Sequence, residues 1–483
     1  MANSNQQTAY DLSMNEAMTP AISTNALACY QALKAHDARF DGRFFVGVSS
    51  TRIYCRPVCR VKVPKFENCR FFDHAALAES AGYRPCMRCR PELAPQNLQT
   101  RRLLTAKQLL SDTHMPTSHI AHASGFGSVR RFSDAFLTHY RLNPSALRKI
   151  SKIGKSALSP TKTVSKTEDW PSSTVKLSYR PPYNVPWMLA FFKKRQLDST
   201  ENISEKVTTK LIATQAINTL ATWTFSYQFN DQLYVGWLSV EFHPTQPTLT
   251  LKVSDSLRPV LPQVIRQVRA LLDLDADPMA INDLLKHSFG NDEAVAGIRV
   301  PGCLNGFELA VRAILGQQVT VAAGRTFTQR VVNTFGSTIE TPFPALTRLF
   351  PTPEALAAAS GEALGSLGIV KQRQAAIVAL ARAVASKELA LHPGVDIEAT
   401  MAQLLDLPGV GDWTAQYIAM RALRWPDAFV AGDVALHKAL GLLNLEPKLS
   451  PAKAAAAALE ASQTWRPWRS YAVMRAWAKL NEI

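Results

Sequence analysis

The chain has 483 residues, a formal charge of +16 and 47% hydrophobic residues. That length exceeds what one core supports and predicts three or four domains, while the hydrophobic share excludes a largely disordered chain. No uncharged apolar run of about 20 residues occurs, so no spanning helix is expected. Residues 1–170 carry 24 Lys+Arg against 12 Asp+Glu, and residues 171–483 carry 30 against 26. A basic N-terminal third is the electrostatic footprint of a nucleic-acid partner, because neutralised phosphates release counterions. Seven cysteines, an odd number with four in metal spacing, argue for a reducing compartment and against a disulfide framework. Residues 1–25 lack an apolar core flanked by basic residues, so a cytoplasmic, nucleoid-associated monomer with no membrane partner is expected.

Taken in chain order, residues 1–25 read as a disordered tail and 26–92 as a small α+β unit carrying the cysteines, with a strand over 44–48. Residues 93–150 read as helices. In them Leu103, Leu104, Leu109 and Leu110 form one apolar stripe, and Ile120 to Gly125 end a short helix in a glycine turn. Ser128 caps the next helix. There Val129, Phe132, Phe136 and Tyr140 recur at helical spacing and are expected inside, with Arg130 and Arg131 outside. Ser, Thr and Lys dominate 151–174, a linker. Residues 175–285 mix strands and helices into an α+β subdomain, and the alternation over Thr248–Val253 marks a half-buried strand. Residues 286–483 read as an all-α domain.

Cys55 and Cys59 are separated by three residues and Cys86 and Cys89 by two, with 26 residues between the pairs. Four sulfurs so spaced suit a closed tetrahedral zinc site. The runs Ile53–Arg60 and Gly82–Cys89 resemble the N-terminal domain of the adaptive-response protein Ada. The resemblance implies that Cys55 is both a zinc ligand and a nucleophile that takes a methyl group from a DNA methyl phosphotriester, in a single turnover. Arg52, Arg56, Arg60, Arg84, Arg88 and Arg90 surround the cysteines and could hold the DNA backbone. Cys29 and Cys69 fall outside the spacing and are expected to be buried, ordinary thiols.

Residues 117–139 resemble the second helix-turn-helix of an AraC-type DNA-binding region, which implies DNA contacts from Ser128, Arg130 and Arg131. Only some 60 residues separate Pro91 from the linker, so the first of the two units typical of that region is missing. Non-specific DNA holding is then at least as well supported as promoter recognition.

Leu407-Pro408-Gly409-Val410-Gly411-Asp412-Trp413-Thr414 reads as a helix-hairpin-helix turn, in which Gly409 and Gly411 let the backbone approach a phosphate. Asp433 opens a further helix about twenty residues on. By itself it is an N-cap; a hairpin followed at this distance by such an Asp resembles the signature of the helix-hairpin-helix DNA glycosylases. Residues 175–483 resemble 3-methyladenine DNA glycosylase II (AlkA) through Pro181-Pro182-Tyr183, Trp187-Met188-Leu189, Ala313–Gln317 and Trp465–Tyr471. The resemblance implies Asp433 as the catalytic carboxylate and Phe191, Trp413, Tyr417 and Trp477 as the walls of a base pocket. A cationic, alkylated purine would stack on those rings. Gln318 stands where the family's type member places a leucine wedge. Trp413 stands where lyases of the superfamily carry a Schiff-base lysine, so a monofunctional glycosylase leaving an abasic site is expected. With Cys303 alone beyond Cys89, an iron–sulfur cluster is not.

The expectation from sequence is therefore an alkylation-repair enzyme acting on double-stranded DNA. A glycosylase would excise 3-methyladenine and other alkylated bases by base flipping, and a zinc–cysteine unit would accept methyl from phosphotriesters. The rival reading is a transcriptional regulator of the alkylation response, switched on by methylation of Cys55.

Overall fold

The computed structural model describes residues 26–91 except 60, 74, 87 and 90; 106, 110 and 116–140 except 125 and 127; 143–145; 170–207; 217–229; 232–444; and 449–480. The expected tail, most of the expected linker, Leu103, Leu104, Leu109, Gly125, Arg60 and Arg90 lie outside these residues. The chain divides into two compact units, Met1–Asn97 and Leu98–Ile483. The architecture is a small α+β metal-binding region, a helical helix-turn-helix, a subdomain built on one sheet, and an all-α domain.

In the first unit, β1 (Phe45–Val48), β2 (Ile53–Cys55), β3 (Cys69–Phe72) and β4 (Arg84–Pro85) form one sheet in the order β3-β1-β2-β4. Its core is Phe45, Tyr54, Phe72, Ala78 and Tyr83. Gly47 lies under two of these rings: a Cβ there would sit 2.7 Å from Tyr83 and 2.8 Å from Phe72. β4 pairs parallel with β2, with Ile53 opposite Arg84 and Tyr54 opposite Pro85. The ladder continues as Cys86 N donates to Tyr54 O at 3.0 Å. This register carries Cys86 alongside Cys55, so the sheet itself brings the two cysteine pairs together.

In the second unit the helices Thr117–Ala123 and Val129–Tyr140 pack through Ile120, Ala121, Phe126, Phe132 and Phe136, all buried. Ser128 Oγ accepts from Arg131 N at 3.2 Å, as an N-cap should. Arg130 and Arg131 point to solvent. Val129, expected inside, is 37% exposed. It occupies the first helical position, before the stripe defined by Phe132 and Phe136 has turned inward.

An antiparallel sheet follows, in the order β5 (Ser172–Ser178), β9 (Thr248–Ser254), β8 (Gln232–Phe242), β7 (Ile217–Phe229) and β6 (Glu201–Val207). β5 starts three residues inside the stretch read as linker. In β9, Leu249, Leu251 and Val253 are buried and Lys252 is exposed, which is the alternation the sequence carries. The helix Val185–Arg195 is capped by Asn184, whose side chain accepts from Trp187 N at 3.0 Å. It buries Met188, Leu189, Phe191 and Phe192 and ends in Lys193, Lys194 and Arg195, cations that suit the negative end of the helix dipole. This helix lies against the Val321–Phe335 helix of the all-α domain, which is how a residue of the sheet subdomain reaches the site below.

The centre of the all-α domain is the helix Gly306–Leu315. Seven of its ten residues are buried, against the helices Asp412–Arg421, Lys371–Ala385 and Val321–Phe335. The Val434–Ala439 helix packs on Arg469–Lys479. Among the described residues no helix is long and apolar enough to cross a membrane.

Candidate nucleic-acid site and thiolate cluster

The sulfurs of Cys55, Cys59, Cys86 and Cys89 all lie within 4.8 Å of one another, three buried and Cys89 half-buried. β2 delivers Cys55, β4 delivers Cys86, and Cys59 and Cys89 follow in the adjoining turns. Arg56 N donates to Cys89 Sγ at 3.4 Å. The thiols share protons: hydrogen bonds from Cys55 and Cys89 hold the Cys59 thiol down to about 2. Its hydrogen bonds to Cys59 and Cys89, with burial, push Cys55 upward. Four sulfurs this close, three of them buried, cannot all ionise without a cation between them. Soft donors in that number and proximity fit zinc.

Two expectations about the surroundings are corrected. The Arg56 guanidinium is committed to Asp41, through Nε at 2.7 Å to Oδ1 and through Nη2 to Oδ2. Buried in that ion pair, it is structural and not open to a DNA phosphate. Arg52 lies over the Tyr83 ring at 5.5 Å, and Arg84 and Arg88 remain as exposed cations. Cys29 and Cys69 are half-buried, not buried. Cys69 is pushed to about 11 by partial burial and by Glu67.

In the second unit, Phe191, Trp413, Tyr417, Asp433 and Trp477 line one cavity of about 700 Å³ together with Trp187. Asp433 N-caps the Val434–Ala439 helix. Its Oδ1 accepts from Leu436 N at 2.7 Å and from Trp477 Nε1 at 2.9 Å, and its Oδ2 accepts from Trp413 Nε1 at 3.0 Å. Cap and site are therefore one carboxylate: a backbone amide and two indoles fix its plane. Trp413 and Tyr417, one helical turn apart, stack with centroids 5.1 Å apart at 8°. Burial raises the Tyr417 phenol, but the Arg421 and Arg195 guanidiniums outweigh it and lower its pKa.

The hairpin precedes the same helix. Gly409 has φ +76°, a left-handed position, and a Cβ there would meet Ala376 Cβ at 3.3 Å. Gly411 opens the Asp412–Arg421 helix with no side-chain cap, and nothing lies within 4 Å of where its Cβ would be. An anion can reach those first amides. Gln318 is exposed at φ +53°.

Sequence reasoning missed four residues. Gln317 ties the Gln318 loop to the hairpin, since its Nε2 donates to Gly409 O and Thr414 Oγ1, both at 2.9 Å. Trp187 also lines the cavity. Arg195 and Arg421 reach it from one turn beyond Phe191 and Tyr417, an i,i+4 spacing that was visible in the sequence.

With this geometry in hand, the chain can be set beside known proteins. Residues 28–92 match the metal-binding domain of Ada, and 92–150 a helix-turn-helix domain. Residues 174–305 match the AlkA N-terminal domain, and 311–464 the HhH-GPD superfamily of base excision DNA repair proteins. A Mycobacterium tuberculosis protein named "Probable bifunctional transcriptional activator/DNA repair enzyme AlkA" is 32% identical over 94% of this chain and 96% of its own length. The chain belongs to this bifunctional AlkA family. The Escherichia coli DNA-3-methyladenine glycosylase 2 is 32% identical over 62% of this chain and 95% of its own. The Escherichia coli "Bifunctional transcriptional activator/DNA repair enzyme Ada" is 45% identical over 15% of this chain and 20% of its own. By family, then, this AlkA-type chain is a glycosylase of the 3-methyladenine type joined to an Ada-type zinc-binding domain, and its DNA-binding domains imply a double-stranded DNA partner.

One expectation is overturned. The sequence reading ranked repair by a monofunctional glycosylase first and regulation as its rival. Relatives that span nearly the whole chain are named as activator and repair enzyme in one protein.

Proposed function

We propose that this AlkA-type protein is a methylation-responsive transcriptional activator that carries its own alkylated-base glycosylase. The end-to-end likeness to bifunctional activator/repair relatives carries the reading. In the first unit, Cys55, Cys59, Cys86 and Cys89 would hold zinc. A bound zinc ion would keep the four sulfurs anionic at neutral pH. Cys55 Sγ attacks the methyl carbon of a phosphotriester; the new S–C bond forms as the O–C bond breaks, and the electron pair leaves on a phosphodiester oxygen. The thiolate becomes a neutral thioether, so the unit loses one negative charge and holds the DNA polyanion more tightly. Ser128, Arg130 and Arg131 contact that DNA.

In the second unit, Gly409 and Gly411 bind a backbone phosphate and Gln318 fills the gap left by the flipped base. The base stacks among Phe191, Trp413, Tyr417 and Trp477. The C1′–N bond breaks with its electrons going to the base. Asp433, held by its two indole donors, stabilises the cationic sugar while water adds at C1′.

The test of the regulator is footprinting on promoter fragments before and after exposure to DNA bearing methyl phosphotriesters, with intact mass read in parallel. Protection should appear together with one added methyl, and Cys55→Ala should lose both. Methylated wild type that protects nothing would remove the activator from the proposal.

A further inference from the structure

The cavity that holds Asp433 is lined by five cationic side chains and by one carboxylate, Asp433 itself. Three of the five cations are committed to the fold. Arg312 pairs with Glu201 and, at 2.6 Å, with Glu308. Arg421 donates to Pro301 O at 2.9 Å, to Gly302 O at 2.8 Å and to the Tyr417 hydroxyl at 2.7 Å. Arg195 donates to Phe191 O at 3.3 Å and also hydrogen-bonds the Tyr417 side chain. Arg195 and Arg421 lie over the Phe191 ring, 3.7 and 4.9 Å from its centroid. Arg421 is two turns of helix beyond Trp413, which donates to Asp433, so this pair closes the end of the cavity far from the carboxylate.

The other two cations, Lys194 and Arg325, are exposed, and among the described residues neither has a hydrogen bond, an ion pair or a ring contact. Lys194 comes from the last turn of the Val185–Arg195 helix and Arg325 from the second turn of Val321–Phe335. Those two helices pack together. Lining the cavity while open to solvent, the two side chains stand at its mouth. The helix dipole explains a cation at Lys194, but Arg325, near the start of its own helix, gains nothing from that dipole.

A nucleotide extruded from the duplex brings its flanking phosphates to the mouth of the pocket that takes its base. Those anions arrive where the lining carboxylate repels them, and the hairpin glycines do not line this cavity. We propose that Lys194 and Arg325 form a phosphate clamp at the cavity mouth, holding the backbone of the damaged strand beside the extruded nucleotide and engaging only once that nucleotide has left the stack. The clamp is separate from the Gly409–Gly411 hairpin, and its ligand is a phosphodiester. It joins the sheet subdomain to the all-α domain across the bound strand. The inference rests on the glycosylase reading above.

Salt dependence tests the clamp, because each phosphate contact contributes about 0.9 to the slope of log affinity against log salt on duplex DNA. The full-length protein is titrated at several salt concentrations with two duplexes of the same sequence. One is undamaged; the other carries a single tetrahydrofuran abasic residue, which has no base to hold it in the stack. On the abasic duplex, Lys194→Gln and Arg325→Gln should each lower the slope by about 0.7–0.9, a loss of about fivefold in affinity per contact near about 0.15 M salt. The double variant should lose about twice that slope. On the undamaged duplex all slopes should match wild type. Lys194→Arg and Arg325→Lys keep the charge and should restore the slope, which a merely structural role would not move. An unchanged slope on the abasic duplex overturns the proposal. So does an equal fall on both duplexes, which would make the pair part of a general DNA surface. Release of alkylated bases from methylated duplex by wild type is measured alongside. Its absence removes the glycosylase reading and the clamp with it, whereas release with unchanged slopes removes the clamp alone.

Discussion

Asp433 shows how an N-cap and a wall of the cavity can rest on one side chain. Its three accepted hydrogen bonds serve a helix start and two pocket indoles at once. Asn is as good an N-cap as Asp, so Asp433→Asn separates the roles. The variant should keep its thermal midpoint within a few degrees, because the cap survives and one indole bond of about 1 kcal/mol is lost. Base release from methylated duplex should fall at least about a hundredfold, because the negative charge facing the sugar cation is gone. Midpoint and release measured on the same preparation decide it; a variant that unfolds early, or one that keeps its rate, contradicts the assignment. Glu308 illustrates the opposite case, a buried carboxyl pushed to about 7 by burial yet bound to Arg312 at 2.6 Å, which also pairs with Glu201. That network joins the helix Gly306–Leu315 to β6, and its chemistry is packing.

At the scale of elements, the two-residue strand β4 matters out of proportion to its length. Its parallel pairing with β2 sets Cys86 beside Cys55, and the sheet can close only because Gly47 leaves room for Tyr83 and Phe72. Gly47→Val would push side-chain carbons into both rings. Overpacking of this kind costs about 1–3 kcal/mol, so the urea midpoint of the first unit should fall and zinc affinity should weaken with it. Titration with a zinc chelator under partial denaturant reads both. The Val434–Ala439 and Arg469–Lys479 pair is the counterpart in the glycosylase: their packing carries Trp477 to Asp433 across 44 residues of chain.

At the scale of the molecule, the four clustered sulfurs belong to one compact unit and the Asp433 cavity to the other. Metal removal should therefore act on one of them. Chelation of the purified protein should unfold Met1–Asn97 to proteolysis and abolish methyl uptake, because the free energy of metal binding to four cysteines is lost from the fold and the sulfurs return to neutral thiols. Release of 3-methyladenine by the second unit should persist at close to its original rate. Limited proteolysis and base release, measured before and after chelation, check both halves. Loss of both activities on chelation would contradict the independence of the units.

The sequence by itself determined the fold class, the four cysteines that cluster, the hairpin motif and five of the residues that line one cavity. Each of these is encoded locally, as spacing between cysteines, as glycines in a turn, or as a motif of adjacent residues. It misjudged Val129 and Arg56, because whether a helix-start residue faces the core, or which partner claims an arginine, depends on elements distant in the chain. The tertiary structure alone decided that Asp41 neutralises Arg56, that Gln317 ties the Gln318 loop to the hairpin, and that Asp433 is held by indoles from two separate helices. It also decided that Arg195, which looks in the sequence like the basic end of an ordinary helix, closes the far end of the cavity. The reason is physical: hydrogen bonds and buried charges are matched through space, and residues 15 to more than 200 positions apart meet only once the cores have packed.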